Sequence, residues 1–401
     1  MSLSGSIIVL LLIAAVVALV APRAGIPYTV ALVVAGLLLG FAPIVQPPPL
    51  TKELLFAVFL PGLLYEASVQ LDAGEFWRNR VLIFSLALPA VVISTLIVAA
   101  GLVLLFPILG APLAWGPAFV FATLIAATDP IAVVAIVRTL GAPRQLAVLI
   151  EGESLLNDGT AAVAFTTAVA FVLGAQPRAT LLAFEFVYAI AGAVLVGVAV
   201  GWITRKLLAW LKDAMVMITI TTAAAYGSFL VAEALHASGV IAAVTAGMLS
   251  GTEAAKRAIA PESRAALRAF WDYVAFALNS IVFLLIGRQA GVSTLLAAWR
   301  IILVAFVVVT VTRVAVTYAV VGVIRDGVRF PPRWTPVLAW SGLRGSLAMV
   351  LALSLPAEMV QRDVIVDITI GVVILSILVQ GMTVRPLLRR LGLDRPAAMT
   401  S

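Results

Sequence analysis

The sequence contains no cysteine, and His236 is the single histidine among its 401 residues. The absence of cysteine excludes thiol catalysis and structural disulfide bonds, and one histidine cannot form a metal centre alone. We therefore interpret His236 as an ordinary structural or loop residue. Charged residues are also scarce, at 11% of the chain. Soluble domains carry about 25% charged residues, so this composition cannot cover a water-facing surface.

Hydrophobic residues make up 63% of the chain and fall into long runs. Only helices or closed barrels span a bilayer, and these runs lack the alternation that is typical of barrel strands. The sequence therefore predicts an all-α polytopic membrane protein of about 13 transmembrane helices surrounded by lipid. The predicted segments lie roughly at residues 5–21, 27–43, 53–70, 81–106, 115–137, 145–173, 179–204, 214–232, 237–252, 266–287, 293–322, 334–355 and 364–384.

The distribution of Lys and Arg predicts how the chain is oriented. Nineteen of these residues fall in the odd-numbered connections and the C-terminal tail, whereas four fall in the even-numbered connections. Basic loops stay in the cytoplasm, so we expect a multi-pass protein of the cell membrane with its N-terminus outside and its C-terminus in the cytoplasm. The connections are short, and no soluble regulatory domain is expected. The net charge of +7 is too sparse for nucleic-acid binding.

Thirteen crossings suit two inverted repeats of six helices joined by a linker helix, which is a common plan of transporters. Two segments are interrupted near their middle. Thr128-Asp129-Pro130 interrupts segment 5, because proline removes a backbone donor and clashes with the preceding turn. Glycines and serines around Arg344, at residues 341–346, weaken segment 12. A charge at each break predicts two discontinuous helices around an ion site.

Segment 6 carries a polar stripe on an otherwise apolar helix. At about 100° per residue, Glu153, Ser154, Asn157 and Asp158 fall on one face. An ionised side chain at the centre of a membrane costs about 2.5–3.5 kcal/mol on insertion scales, so two carboxylates on one stripe indicate function rather than packing. Asp158 lies roughly 20 Å along its helix, near the middle of the bilayer.

Small hard cations prefer oxygen ligands such as carboxylate, hydroxyl and carbonyl groups. Asp129 and the centre of segment 12 have the same predicted depth as Asp158, so the two breaks and the stripe are expected to meet. The candidate ligands of such a cation are Asp158, Asp129, Ser154 and the freed carbonyl of Thr128.

Arg344 is permanently charged and needs a carboxylate partner at this depth. We assign Glu153 to it, although the sequence alone leaves Asp158 open as the partner. Asn157 is expected to hold the unwound segment through its amide.

The chain resembles the NHE/NhaP branch of the monovalent cation–proton antiporters over nearly its whole length. The residues that carry the resemblance are 128–130, 153–158 and 342–345, supported by 60–66 and 279–287. The resemblance implies a homodimer without a cofactor. It also implies an interface part at about 1–75 and 179–290 and a mobile core at about 81–173 and 293–390.

The resemblance implies a secondary antiporter that exchanges Na⁺ (or Li⁺) for H⁺ by alternating access. For the site, it implies that segments 5 and 12 cross and that Asp158 carries Na⁺ and a proton in turn. Thr128, Asp129 and Ser154 would assist, and Glu153, which we group with the binding residues, would pair with Arg344. Asn157 before the aspartate is typical of the electroneutral branch, which exchanges one cation per proton.

Some alternatives remain open at this point. Glu66 either lines a cytoplasmic funnel or pairs with a basic residue of a neighbouring helix. Arg288 departs from the apolar residue that the resemblance implies, and either extends to the membrane surface or reaches the cavity. Potassium–proton exchange is the second choice of substrate. A cation channel is the alternative class, and the lack of a histidine near Ser154 disfavours a hydrolytic enzyme.

Overall fold

The computed structural model describes residues 3–40, 55–174, 179–289, 292–324 and 330–394. Every regular element in these ranges is helical, which confirms the predicted all-α class. Within these ranges seven helices are long and apolar enough to cross a membrane on their own, and the other predicted crossings correspond to shorter apolar helices or to half-helices. The predicted segment ends at 41–43 and 53–54 lie outside the described residues.

The first half of the chain supplies the first six predicted crossings. Its helices are α1 (Leu3–Val20), α2 (Tyr28–Gly40), α3 (Leu60–Gln70), α4 (Ala73–Arg78), α5 (Arg80–Ala87), α6 (Pro89–Leu105), α7 (Trp115–Leu124), α8 (Ile131–Thr139) and α9 (Arg144–Val172). A π-helical turn at Leu55–Phe59 leads into α3, and α5 and α6 form one crossing that is interrupted at Pro89.

The second half supplies the remaining crossings. Its helices are α10 (Ala179–Trp210), α11 (Ala214–Ala234), α12 (Gly239–Ser250), α13 (Glu253–Ala258), α14 (Pro261–Gln289), α15 (Val292–Ala297), α16 (Trp299–Ile324), α17 (Thr335–Trp340), α18 (Ser346–Leu353), α19 (Arg362–Leu375) and α20 (Gly381–Arg390). A π-helical turn at Ser376–Gln380 joins α19 to α20 in one long crossing.

Short α4 was missed by the hydropathy pattern because it lies between two crossings. Asp72 caps its N-terminus, where the Asp72 carboxylate accepts a hydrogen bond from the backbone N–H of Glu75 at 3.1 Å. An acidic residue three positions after the cap is a sequence signal for a helix start. The side chain of Phe76 in α4 packs against α9, where a Cβ on Gly152 would lie 2.8 Å from its ring.

Two crossings are discontinuous, as predicted. The chain leaves helical geometry between α7 and α8 and again between α17 and α18. These breaks fall in the fifth and twelfth crossings. Two repeats of six around a linker helix would place them at the same position of each repeat.

The helices pack in two groups. In one group α10 packs on α12, α12 packs on α3, and α14 packs on α2. In the other, α7 contacts α6 and α9, while α16 contacts α6 and α19. The contact of α14 with α2 is very close, because a Cβ on Gly36 would lie 2.2 Å from the Leu284 carbonyl oxygen. The assignment of these groups to an interface part and a core stays a prediction.

Candidate functional site

The two broken crossings meet at Asp129. Its backbone N–H donates a hydrogen bond to the Leu343 carbonyl oxygen at 2.7 Å, which joins the first break to the second. Gly345 allows this approach, because a Cβ at that position would lie 2.2 Å from the Cβ of Asp129. The unwound backbone of both breaks is thus buried within the protein, where each freed polar group can find a partner.

The polar stripe of α9 faces the first break. Asp158 Oδ1 accepts a hydrogen bond from the backbone N–H of Thr128 at 3.3 Å. The Thr128 hydroxyl donates to Ser154 Oγ at 3.1 Å, and the Ser154 hydroxyl in turn donates to the Thr128 carbonyl oxygen. The structure therefore brings together the side chains that the sequence predicted as cation ligands.

Asp129 contributes a second carboxylate to the region between α9 and the first break. Its Oδ1 accepts a hydrogen bond from the backbone N–H of Ile131 at 3.0 Å, at the start of α8. Its Oδ2 is buried and has no hydrogen-bond partner among the described residues. Within the same described ranges, neither Asp129 nor Asp158 forms a salt bridge with a basic side chain. A buried carboxylate without a cation is costly, so this site favours a bound cation or proton.

A small cavity lies directly beside these groups. Its volume is about 60 Å³, and Thr128, Asp129, Ser154 and Asp158 form its polar wall. The other walls are mostly apolar and come from Leu60, Leu63, Leu64 and Ala67 of α3 and from residues 345–348 at the start of α18. This space suits a small ion with at most a few water molecules.

Glu153, unlike Asp158 and Asp129, has a basic partner. The predicted partner, Arg344, is wrong. The Glu153 carboxylate forms an ion pair with Arg313 of α16, and both side chains are buried, at 3% and 9% exposure. Asn157 Nδ2 donates to Glu153 Oε1 at 3.2 Å and lies 3.4 Å from the Thr128 hydroxyl. Asn157 thereby lies between the ion pair and the break. Its role in holding the unwound segment stays a prediction.

The guanidinium group of Arg344 binds backbone carbonyl oxygens rather than a carboxylate. Its Nη1 donates to the carbonyl oxygens of Ala126 and Ala127, at 3.1 and 3.3 Å. These carbonyls lie just past the C-terminal end of α7, where the helix dipole favours a positive charge. The Arg344 backbone N–H donates to Ser376 Oγ at 3.0 Å, within the π-helical turn.

Arg313 binds a backbone carbonyl oxygen of the twelfth crossing, just as Arg344 binds carbonyl oxygens of the fifth. Its Nη2 donates to the Leu338 carbonyl oxygen of α17 at 3.2 Å. Gly342 leaves room for it, because a Cβ there would lie 2.9 Å from Arg313 Nε. Sequence reasoning missed Arg313 because no motif surrounds it. The available signal was its depth, since it lies near the middle of the 26-residue helix α16.

Glu66 and Arg288 lie apart from this cavity. Gln70 Nε2 donates to Glu66 Oε1 at 2.5 Å and to Asp272 Oδ1 at 2.7 Å, so Glu66 belongs to a polar cluster between α3 and α14. Arg288 is half-buried at the end of α14. Neither residue lines the ion-sized cavity. His236 is exposed in a left-handed backbone conformation just after α11.

Comparisons with known proteins agree with this arrangement. Residues 8–390 match the family described as sodium/hydrogen exchanger, transmembrane. The chain is 35% identical over 398 residues to the Na⁺/H⁺ antiporter NhaG of Bacillus atrophaeus, covering 96% of this chain and 74% of that protein. It is 33% identical over 401 residues to the Na⁺/H⁺ antiporter NhaH of Halobacillus dabanensis, covering 96% of this chain and 97% of that one.

A solved structure shares the fold. The sodium proton antiporter MjNhaP1 of Methanocaldococcus jannaschii superposes with a TM-score of 0.79 at 18% identity, covering 97% of this chain and 98% of that one. At this identity the likeness shows the fold alone.

Proposed function

This chain belongs to the sodium/hydrogen exchanger family and is a Na⁺/H⁺ antiporter, and from this premise we propose that sodium and a proton take turns on Asp158. The observation that carries the proposal is the contrast in charge around α9. Asp158 and Asp129 have no basic partner among the described residues. The two buried arginines among the described residues, Arg313 and Arg344, are occupied by Glu153 and by backbone carbonyls.

Sodium would bind to oxygen atoms of the break between α7 and α8 and of the facing helix α9. Asp158 and Asp129 supply carboxylate oxygens, Ser154 supplies a hydroxyl, and Thr128 supplies the carbonyl that now accepts from Ser154. Asp129 Oδ2 supports this ligand set, because it is buried and accepts no hydrogen bond of ordinary geometry from a described residue, and such a carboxylate oxygen is suited to a cation.

Exchange follows from competition for this carboxylate. Moving the core with an empty, ionised site would carry an uncompensated charge through the bilayer, at about 2.3 kcal/mol for each 100 mV of potential. A bound proton and a bound sodium ion each add one positive charge, so the loaded core carries the same charge in either direction. One proton is therefore exchanged for one sodium ion, the step is electroneutral, and the Glu153–Arg313 pair stays in place without adding net charge.

The proposal includes the surroundings of the site. The protein would lie in the cell membrane with its N-terminus outside and its C-terminus in the cytoplasm, as its basic loops favour. It would form a homodimer through the part built from α1–α3 and α10–α14. The core of α5–α9 and α16–α20, which carries the site, would move against it.

The test is exchange by purified protein in liposomes that enclose a pH-sensitive dye. A pH gradient is imposed and Na⁺, Li⁺ or K⁺ is added, for the wild type, Asp158→Asn and the control Asp363→Asn. Asp363 is a useful control because its side chain is 92% exposed and remote from the cavity. We expect Na⁺ to collapse the gradient in the wild type and the control but not in Asp158→Asn.

A wild type that responds to none of the three ions would refute the antiport proposal. A response to K⁺ alone would replace sodium with potassium as the substrate. Full activity of Asp158→Asn would leave exchange standing and overturn the assignment of the shared group.

A further inference from the structure

A second cleft, much larger than the ion cavity, opens where several helices end. Its volume is about 520 Å³, and its walls are the turn between α1 and α2, the first residues of α2, the length of α8, and α20. In the proposed orientation α1, α8 and α20 all end at the cytoplasmic side. The cleft therefore opens at the depth of the phospholipid headgroups of the inner leaflet and extends along α8 to Ile131, beside the ion cavity.

Two polar side chains in this cleft lack partners. Arg385 is the only charged residue among those described as lining it, is exposed, and forms no hydrogen bond or ion pair with a described residue. Thr29 is 4% exposed, and its hydroxyl has no hydrogen-bond partner within the described ranges. Both groups can donate to the oxygen atoms of an anion.

The remaining walls are mostly apolar. A small hydrophilic anion would make no favourable contact with this apolar surface, which is formed by Ile26, Ile136, Leu140 and Met382. An amphiphile with an anionic head and a hydrocarbon chain fits both kinds of wall. A cationic amphiphile would be repelled by Arg385.

We propose that this cleft binds an anionic phospholipid, with the phosphate on Arg385 and an acyl chain against the apolar wall. The planar guanidinium of arginine binds phosphate oxygens in pairs. Arg389 and Arg390 follow on the same helix and are exposed, so α20 attracts anionic lipid to this side of the protein.

The position of the cleft gives the lipid a role in exchange, a step that rests on the proposed function. The turn between α1 and α2 belongs to the proposed interface part, whereas α8 and α20 belong to the proposed core. Ile131, the first residue of α8, lines both this cleft and the ion cavity. A lipid that bridges the two parts stabilises this arrangement and slows the movement of the core.

The test compares Arg385→Gln with Arg389→Gln, which removes an exposed arginine of the same helix that does not line the cleft. Each protein is placed in nanodiscs of phosphatidylcholine alone or with added phosphatidylglycerol. Bound lipid is counted by native mass spectrometry and the thermal unfolding midpoint is recorded. We expect phosphatidylglycerol to raise the midpoint of the wild type and of Arg389→Gln. For Arg385→Gln we expect lipid affinity to fall about tenfold and the rise to be lost.

Three outcomes would overturn the proposal. These are an unchanged lipid response in Arg385→Gln, an equal loss in both variants, or the same rise from inorganic phosphate in phosphatidylcholine alone. Thr29→Val provides a second check, because it should weaken lipid binding without unfolding the protein. Exchange in liposomes should be faster for Arg385→Gln than for the wild type only when phosphatidylglycerol is present. Lipid binding is measured without transport, so it can succeed even if the proposed exchange fails.

Discussion

Two carboxylates of α9, Glu153 and Asp158, lie little more than one helical turn apart and have opposite surroundings. Glu153 is paired with Arg313 and accepts a hydrogen bond from Asn157. Asp158 faces Thr128 and has no described cationic partner. Because Arg313 neutralises Glu153 and does not pair with Asp158, the Glu153 carboxylate has a structural role. The Asp158 carboxylate remains able to take up a proton or a cation.

The difference has an energetic cause. A buried ion pair is strongly destabilised when one partner is removed, because an uncompensated charge remains. Replacing the Asp158 carboxylate by an amide removes a half-buried charge that has no basic partner among the described residues. Glu153 should therefore matter most for stability, and Asp158 most for transport.

The largest expected effect is the loss of exchange in Asp158→Asn, with the thermal unfolding midpoint in detergent unchanged or raised. The paired measurement is Glu153→Gln, which should lower the midpoint because it leaves Arg313 buried without a counter-charge. Sodium uptake by Glu153→Gln protein that remains folded should still compete with protons. If the two variants behaved alike in both assays, the distinction between the carboxylates would be lost.

Removing the arginine itself should have a large effect on stability. We expect Arg313→Met to cost about 3–5 kcal/mol, because Glu153 is left buried and ionised. The double variant Arg313→Met with Glu153→Gln should recover much of that loss, as seen in chemical unfolding curves. An additive loss in the double variant would show that the pair does not act as a unit.

A smaller structural effect is expected where the broken crossings meet. A methyl group in Gly345→Ala would collide with the Asp129 side chain, so we expect a loss of about 1–3 kcal/mol from overpacking. Because the collision displaces Asp129, the apparent sodium affinity should also fall. Gly227→Ala is the matched control, since a Cβ there meets nothing within 4 Å. Normal stability and affinity of Gly345→Ala would contradict the close approach.

Ser154→Ala should have a milder effect on the site. It removes one hydroxyl ligand and the hydrogen bond to the Thr128 carbonyl, worth about 1 kcal/mol, so the apparent sodium affinity should fall roughly fivefold. The maximal exchange rate should change little. A total loss of exchange would instead give Ser154 a role equal to that of Asp158.

The smallest effect is expected at Arg288, which lies outside the ion cavity. Arg288→Leu should leave the exchange electroneutral, and no sodium-driven current should appear across a planar bilayer. A current in this variant alone would show that Arg288 takes part in the charge balance of transport.

Hydropathy was enough to predict the crossings, because membrane length sets the length of each apolar run. The breaks at Asp129 and Arg344 followed from proline and glycine chemistry. The partner of Arg344 could not be predicted, because depth along a helix does not tell which neighbour it faces. Arg313 has a suitable depth too, and only the folded arrangement of α9 and α16 shows that it is the one that reaches Glu153.

The central claim is that a proton and sodium share Asp158, and the dependence of sodium affinity on pH tests it most directly. Initial exchange rates in liposomes would be measured over a range of sodium concentrations at several pH values. As the pH falls through the range where the site protonates, the apparent KM for sodium should rise about tenfold per pH unit while the maximal rate is retained. A falling maximal rate at constant KM would show that the proton and sodium bind at separate sites, and would contradict the account.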